Sequence, residues 1–280
     1  MREINTKDIT ALVARMCIDS NCYLNQDITE ALQTAQQNET TPLASEILAD
    51  IIKNAEIARR DTVPICQDTG MAVFFLEIGQ DVHIVGGNLY DAINEGVRIG
   101  YADGYLRKSV VADPIRRGNT NDNTPAIIHT EITEGDKLKI TIAPKGFGSE
   151  NMSTVKMLKP SDGLDGVLDF VTETVRTASG NPCPPIVVGV GIGGTMEKAA
   201  LLSKKALLRD IRESHPDEYY ANIEKELLER INNLNIGPQG FGGKTTALGL
   251  AIEQHPTHVA GLPVAVNINC HATRRASREV

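Results

Sequence analysis

The sequence predicts an α/β fold in which mixed sheets are flanked by helices, with a helical segment over about residues 1–60. In that segment Ile9, Val13 and Met16 recur at helical spacing. Farther along, short apolar stretches typical of strands alternate with longer stretches typical of helices. Because no repeat or low-complexity linker interrupts the chain, we expect one domain over residues 1–280, in which the first helices either join the sheets or form a lobe of their own.

The first half of the chain carries several start and turn signals. Asp27 followed by Glu30 has the form of a capping box, and Thr41–Pro42 opens the helix PLASEILADIIKNAEIARR. The stretch MAVFFLEI is typical of a strand, and LYDAINEGVRIGYADGYL of a helix. AIIHTEITEGDKLKITIAP predicts a hairpin that turns at EGD. Its two strands would pair through alternate side chains: Ile128, Thr130 and Ile132 against Leu138, Ile140 and Ile142.

The second half predicts a helix over residues 162–178, a buried strand at PPIVVGV, helices at about 195–209 and 216–234, and a strand at PVAVNIN. TTALGLAIE fits a strand or a helix, because so short an apolar run has no clear period. Polar, glycine-rich loops separate these elements: CQDTG, DPIRRGNTNDNTPA, APKGFGSENMS, NPCPP, GPQGFGGKTT and NCHATRR. Functional residues often lie on such loops when a rigid frame holds them.

Composition narrows the classes of partner. The chain is 41% hydrophobic and 23% charged, as in ordinary globular proteins, and its net charge of −8 argues against binding to nucleic acid. No run approaches the ~18 apolar residues of a membrane span. The N-terminal stretch lacks the apolar region of a signal peptide, so we expect a cytoplasmic protein whose five cysteines are reduced.

Two stretches resemble nucleotide-binding motifs without the required context. GVGIGG, residues 189–194, matches G-x-G-x-x-G, but no second parallel strand that ends in an acidic residue follows at the right distance. PQGFGGKT resembles a phosphate-binding loop, but Pro238 replaces the first glycine and no clear strand precedes it. We therefore interpret the glycines of GVGIGG as sites of close backbone packing, and a nicotinamide-dependent dehydrogenase rests on this motif alone.

The cysteines fall into two groups. Cys17 and Cys22 lie in or just after the first predicted helix with no further cysteine nearby, which favours structural thiols. Cys66, Cys183 and Cys270 each adjoin an apolar stretch and a polar loop. If the fold brings these three loops together, three thiolates could hold a [4Fe–4S] cluster and leave one iron open as a Lewis acid; the alternative is that all three are structural.

The motifs that surround these cysteines resemble one known family. The chain is similar to the alpha subunit of the two-subunit class I fumarases, the iron–sulfur fumarate hydratases, a family that includes the L-tartrate dehydratase alpha subunit. The resemblance spans about residues 5–275 and rests on six motifs in the family order: PICQDTG, GYLRKSVVADPIRRGNTNDNTPA, APKGFGSENMS, NPCPPIVVGVGIGGT, GPQGFGGKTTALG and HVAGLPVAVNINCHATRR.

The resemblance implies a function and a site. The implied reaction is the reversible hydration of fumarate to L-malate on a [4Fe–4S] cluster with one open iron. The implied cluster ligands are Cys66, Cys183 and Cys270, and the implied contacts of the dicarboxylate are Gln67, Asp68, Arg107, the backbone N–H of Gly146, and His258. Among these, Asp68 and His258 are our candidates for moving protons. A separate beta subunit would complete the site in an α2β2 assembly.

Each assignment has an alternative. Asp68 would also suit an Asx turn, and His258 a loop histidine that bonds to backbone. Arg107 would also suit a surface ion pair, with Arg116, Arg117 and Lys145 as rival anion contacts. His271 and Arg274 closely follow Cys270 and would orient the residues that contact the cluster or the substrate. The substrate could be L-tartrate or a related dicarboxylate, and an iron–sulfur carrier protein would need the cysteines alone.

Overall fold

The computed structural model describes residues 1–280. Its eight helices are α1 Thr6–Cys22, α2 Gln26–Asn38, α3 Pro42–Asp61, α4 Leu89–Asp103, α5 Phe147–Glu150, α6 Gly163–Ala178, α7 Met196–Ala206 and α8 Glu218–Asn232. Its ten strands are β1 Arg2–Asn5, β2 Val73–Gly79, β3 Val82–Val85, β4 Ile127–Thr133, β5 Leu138–Ile142, β6 Thr154–Leu158, β7 Ile186–Gly193, β8 Ala247–His255, β9 Leu262–Asn269 and β10 Ala276–Glu279. Helices and mixed sheets confirm the predicted α/β class. None of the helices combines the length and the apolar character needed to cross a membrane.

The chain folds as two compact units. Unit 1 consists of residues 1–24, 54–147 and 274–280, and unit 2 of residues 25–53 and 148–273. The N-terminal helices are therefore divided between the units and do not form a lobe of their own. That residues 1–280 act as one domain stays a prediction.

Unit 1 is built on a four-stranded sheet of order β10-β5-β2-β4. Helices α1 and α4 pack along each other. Both helices begin at an asparagine, Asn5 or Asn88, whose side chain accepts backbone N–H bonds from the first turn. Apolar side chains of α1, α4 and the sheet, with Phe74 and Tyr101 among them, form its buried core.

Unit 2 is built on a second four-stranded sheet of order β6-β9-β7-β8. Strand β7 is buried along its whole length, as an apolar strand covered on both faces should be. Gly189, Gly191 and Gly193 of GVGIGG lie in β7 and Gly194 follows it, and α7 packs closely against Gly189 and Gly191. A Cβ added to Gly191 would lie 2.0 Å from the carbonyl oxygen of Ala199 in α7. Gly189 and Gly191 therefore serve close strand–helix packing, in line with the predicted close backbone packing.

Two local predictions are wrong. The stretch predicted as a hairpin forms β4 and β5, but β2 lies between them and pairs parallel with β4 and antiparallel with β5. Strand β2 supplies the long-range partner, and no local signal could reveal it. The predicted capping box is absent, because α2 begins after Asn25 and a carboxylate oxygen of Asp27 accepts a bond from the backbone N–H of Ile211. The ambiguous stretch TTALGLAIE contributes to strand β8.

Candidate active site

Buried polar side chains hold the backbone of the CQDTG loop of unit 1 through hydrogen bonds. The Tyr101 hydroxyl lies 3.1 Å from the carbonyl oxygen of Thr69 and 2.9 Å from that of Gly70, and donates to them. The side-chain amide of Asn123 donates to the Gly70 carbonyl at 3.2 Å. Burial raises the pKa of Tyr101 far above its ordinary value, so its hydroxyl stays a donor. The loop backbone is therefore fixed by groups that lie outside its own motif.

Both carboxylate oxygens of Asp68 accept backbone hydrogen bonds. Oδ1 accepts from the N–H of Gly70 at 3.0 Å, which is the Asx turn weighed as an alternative. Oδ2 accepts from the N–H of Phe147 at 2.8 Å, next to Gly146 in the KGFGS motif. The carboxylate thus ties two sequence motifs together. Its role in proton transfer stays a prediction.

The Arg107 and Gly146 motifs meet the same loop. The backbone N–H of Arg107 donates to Thr69 Oγ1 at 2.9 Å, while its side chain is exposed. A Cβ added to Gly146 would lie 3.2 Å from Asp68 Oδ2, so a larger residue would crowd the carboxylate. Gly70 has φ +77° and lies against the backbone of Lys145, where only glycine fits without strain. Unit 1 therefore brings together the backbones that carry Gln67, Asp68, Arg107 and Gly146.

No disulfide joins the five cysteines, and their burial separates them into the two predicted groups. Cys17 and Cys22 are buried, and burial raises the pKa of both thiols, which keeps them protonated and unreactive. Cys66 and Cys270 are half-buried, and Cys183 is exposed. The latter three thiols can therefore be reached from outside, as ligands of an added group must be.

Cys183 and Cys270 begin adjacent loops of unit 2. The backbone N–H of His271 donates to the carbonyl oxygen of Cys183 at 3.3 Å, and His271 Nδ1 lies 3.0 Å from that oxygen. Cys183 has φ +55°, a left-handed conformation that non-glycine residues adopt at a cost. Strain of this kind is common where a side chain must be aimed at a site.

The PQGFGG loop supports both of these cysteine loops. The backbone N–H of Gln239 donates to the carbonyl oxygen of Pro184 at 2.7 Å, and its side-chain amide donates there at 2.9 Å. The same amide lies 3.2 Å from Nδ1 of His271. The loop leads into strand β8 and not into a helix, so it is no phosphate-binding loop.

His258 lies at the opposite end of the unit 2 sheet. Cys183 precedes β7, and Cys270 follows β9, which is antiparallel to β7, so these two residues share one end. His258 follows β8 and precedes β9, near Gly194, whose carbonyl oxygen accepts a bond from the neighbouring Thr257. The backbone N–H of Ala260 donates to His258 Nδ1 at 3.1 Å, so the neutral ring carries its proton on Nε2.

Sequence reasoning missed the polar residues that hold the loops. Tyr101 looked like an apolar helix position, and Asn21, Asn123 and Gln239 like ordinary loop or helix residues. Their shared property is a buried or half-buried side-chain amide or hydroxyl, which must find hydrogen-bond partners. That property appears in no local sequence pattern.

The donor set fits an iron–sulfur cluster by its chemistry. The structure has no group of three or more His, Cys, Asp or Glu side chains that could together hold a single metal ion. Thiolates are the usual ligands of iron–sulfur clusters, and the three accessible thiols all lie on loops, two of which are hydrogen-bonded to each other. That the three thiols bind one cluster stays a prediction.

Comparisons with known proteins agree with the motifs. The family model described as fumarate hydratase (Fumerase) matches residues 10–279. A protein of Methanocaldococcus jannaschii, provisionally named L(+)-tartrate dehydratase subunit alpha, is 44% identical over 278 residues, which cover 97% of each chain. The L(+)-tartrate dehydratase subunit alpha of Escherichia coli K12 is 33% identical over 272 residues, 96% of this chain and 89% of that relative. The chain belongs to the fumarate hydratase (Fumerase) family.

Proposed function

We propose that this chain is the alpha subunit of a hydro-lyase that adds water reversibly to a four-carbon dicarboxylate, fumarate to L-malate. The observation that carries the proposal is the hydrogen-bonded assembly of unit 1, in which Asp68 and Thr69 tie the CQDTG loop to the backbones of Phe147 and Arg107. Family membership and the names of the relatives support the same class of enzyme. A carrier of iron–sulfur clusters would need no such assembly.

Cys66, Cys183 and Cys270 would hold a [4Fe–4S] cluster. All three are accessible, in contrast to Cys17 and Cys22. When bound, a cluster with one open iron supplies a Lewis acid that helps the substrate hydroxyl to leave.

The side chains of unit 1 would bind and orient the substrate. The planar guanidinium of Arg107 suits a carboxylate, and the backbone N–H of Gly146 would add a second donor. Negative charge grows on this carboxylate when the neighbouring carbon loses its proton, so donors fixed in advance favour the transition state. Gln67 and Asp68 would contact the hydroxyl or the dicarboxylate, and Asp68 would handle a proton from a fixed position.

His258 would reach the site only from another copy of the chain. It lies at the far end of the sheet from Cys183 and Cys270, separated from them by the length of β9. The proposed α2β2 assembly contains two alpha chains, and each would lend its His258 to the site of the other. A separate beta subunit would supply the remaining carboxylate contacts and the base. This arrangement makes the assembly necessary for activity.

L-tartrate is the second candidate substrate, because the relatives from Methanocaldococcus jannaschii and Escherichia coli K12 carry the name L(+)-tartrate dehydratase subunit alpha. Both substrates are four-carbon dicarboxylates with a hydroxyl or double bond between the carboxylates, so the groups of unit 1 suit either. Competition between fumarate, L-malate and L-tartrate on the reconstituted α–β complex would decide between them. The ratio of kcat/KM values identifies the preferred substrate.

The first test is the iron and acid-labile sulfide content after anaerobic purification. We expect about four of each per chain, and their loss in Cys66→Ser. The matched control is Cys22→Ala, which removes a buried thiol and should keep the cluster. A wild-type chain that takes up no iron after anaerobic reconstitution would remove the Lewis acid and with it the proposed function.

A further inference from the structure

Arg274 is a buried cation without a carboxylate partner. Its side chain is buried, with the residue 3% exposed. Nη1 donates to the side-chain oxygen of Asn21 at 3.0 Å, and Nη2 donates to the backbone carbonyl of Asp68 at 2.9 Å. Nε has no hydrogen-bond partner, and no carboxylate lies within ion-pair distance of the guanidinium. A buried charge of this kind is costly to the fold, which argues that its position serves something besides stability.

The contacts of Arg274 converge on one residue. Its Nη2 lies 3.7 Å from the position that a Cβ on Gly146 would occupy. The next residue, Phe147, donates its backbone N–H to Asp68 Oδ2. Asp68 is therefore held through its main chain by Arg274 and through its carboxylate by Gly70 and Phe147. Asn21, the other partner of Arg274, accepts the backbone N–H of Ile65 at its own carbonyl, just before Cys66. The guanidinium thus supports the main chain on both sides of Cys66–Gln67: directly at Asp68, and through Asn21 at Ile65.

We propose that Arg274 is a positioning residue for the proposed reaction, because it fixes the main chain of residues 65–68 and so the direction in which Gln67 and Asp68 face substrate. Arginine suits this task, since its planar fork bridges two acceptors on different segments, which a lysine ammonium at the end of a flexible stem cannot match. The proposal rests on the proposed function for its catalytic consequence, but its structural part stands without it.

The structural part is tested on the chain without metal by amide hydrogen exchange and mass spectrometry. Arg274→Met keeps the side-chain length and removes the donors. We expect the amides of Gly70 and Phe147 to exchange about tenfold faster, with peptides of α6 and β7 unchanged. The control is Arg278→Met, an exposed arginine of the same C-terminal segment, which should change neither region. Unchanged exchange at Gly70 and Phe147, or equal acceleration over the whole chain, would overturn the proposal.

The catalytic part is tested on the reconstituted α–β complex. At equal iron content, Arg274→Met should lower kcat by about 10- to 100-fold, the range for groups that orient site residues, while KM changes far less. Arg274→Lys should recover little of the lost kcat. Full kcat in Arg274→Met, or a loss matched by lost iron, would overturn the positioning role. If the wild-type complex neither hydrates fumarate nor dehydrates L-tartrate, the proposed function fails. The exchange experiment would still decide whether Arg274 fixes the loop.

Discussion

Shared use of His258 between two alpha chains can be tested by mixing two inactive variants. His258→Ala removes the histidine, and Cys270→Ser removes a proposed cluster ligand. The eight residues of β9 separate their positions by roughly 23 Å along the strand. A four-carbon dicarboxylate cannot bridge this distance, and the residues lie in one compact unit, so both cannot act at one site of the same chain.

The assay is hydratase activity after the two variants are unfolded, mixed in equal amounts, refolded with the beta subunit and loaded with iron and sulfide. Random pairing gives mixed pairs in half of the assemblies, and each mixed pair contains one site with an intact cysteine and an intact histidine from the other chain. We expect about one quarter of the wild-type activity, although each variant alone is inactive.

Activity of the mixture that stays at the level of the separate variants would refute the reasoning, and His258 would then not be lent between alpha chains. His255→Ala is the matched control, because His255 is exposed at the same end of the sheet and bonds to the carbonyl oxygen of Pro256. The His255→Ala variant alone should keep hydratase activity, without mixing with a second variant. A His258→Ala chain that is itself fully active would remove the histidine from the site altogether.

Three further predictions concern the chain itself. Maleimide should modify Cys66, Cys183 and Cys270 in the metal-free chain and spare Cys17 and Cys22, whose thiol pKa burial raises; peptide masses that show Cys17 modified as fast as Cys183 would contradict this. Hydrogen bonds from Thr124 hold the pKa of Asp122 at about 2, below its ordinary 3.8, so its stabilisation is complete above about pH 4 and is lost as the pH falls through 2. Urea unfolding at about pH 5 and pH 3 should therefore show a smaller acid-induced loss of stability in Asp122→Asn than in the wild type, and equal losses would count against it. Gly191→Ala would place a Cβ 2.0 Å from the Ala199 carbonyl and should lower the free energy of unfolding by about 1–3 kcal/mol, whereas Gly261→Ala, which meets no atom within 4 Å, should change it by less than about 0.5 kcal/mol; similar values for both would show that α7 can move away.

The elements with a strong local signal were predictable from the sequence. The amphipathic period of α1 and the uniform apolar run of β7 each identify their element without help from distant residues. Pairing was not predictable where it depends on distant strands. Strand β2 separates β4 from β5, and β10 completes that sheet from the other end of the chain. The short strand β1 was also missed, because four residues paired with β3 show no period.

The motif residues of the site were predictable, but their supports were not. The CQDTG, YLRKS and KGFGS motifs meet in unit 1 through Asp68 and Thr69, and that they form one site stays a prediction. The residues that hold them, such as Tyr101 and Asn123, lie in stretches that look like ordinary helix or loop. The distance of His258 from Cys270 was equally hard to predict. The two residues are only twelve positions apart, but strand β9 lies between them and places them at opposite ends of the sheet.

Because the chain is synthesised from its N-terminus, unit 1 can complete its fold only after residues 274–280 have emerged. Strand β10 and Arg274 belong to residues 274–280, so they leave the ribosome after Cys66, Cys183 and Cys270 have already emerged. Until then the sheet of unit 1 lacks its edge strand, and the carbonyl of Asp68 lacks its buried donor. A nascent chain could thus display every thiol before Asp68 is fixed. The hydrogen bonds of Arg274 thus couple the final geometry of this loop to the emergence of residues 274–280.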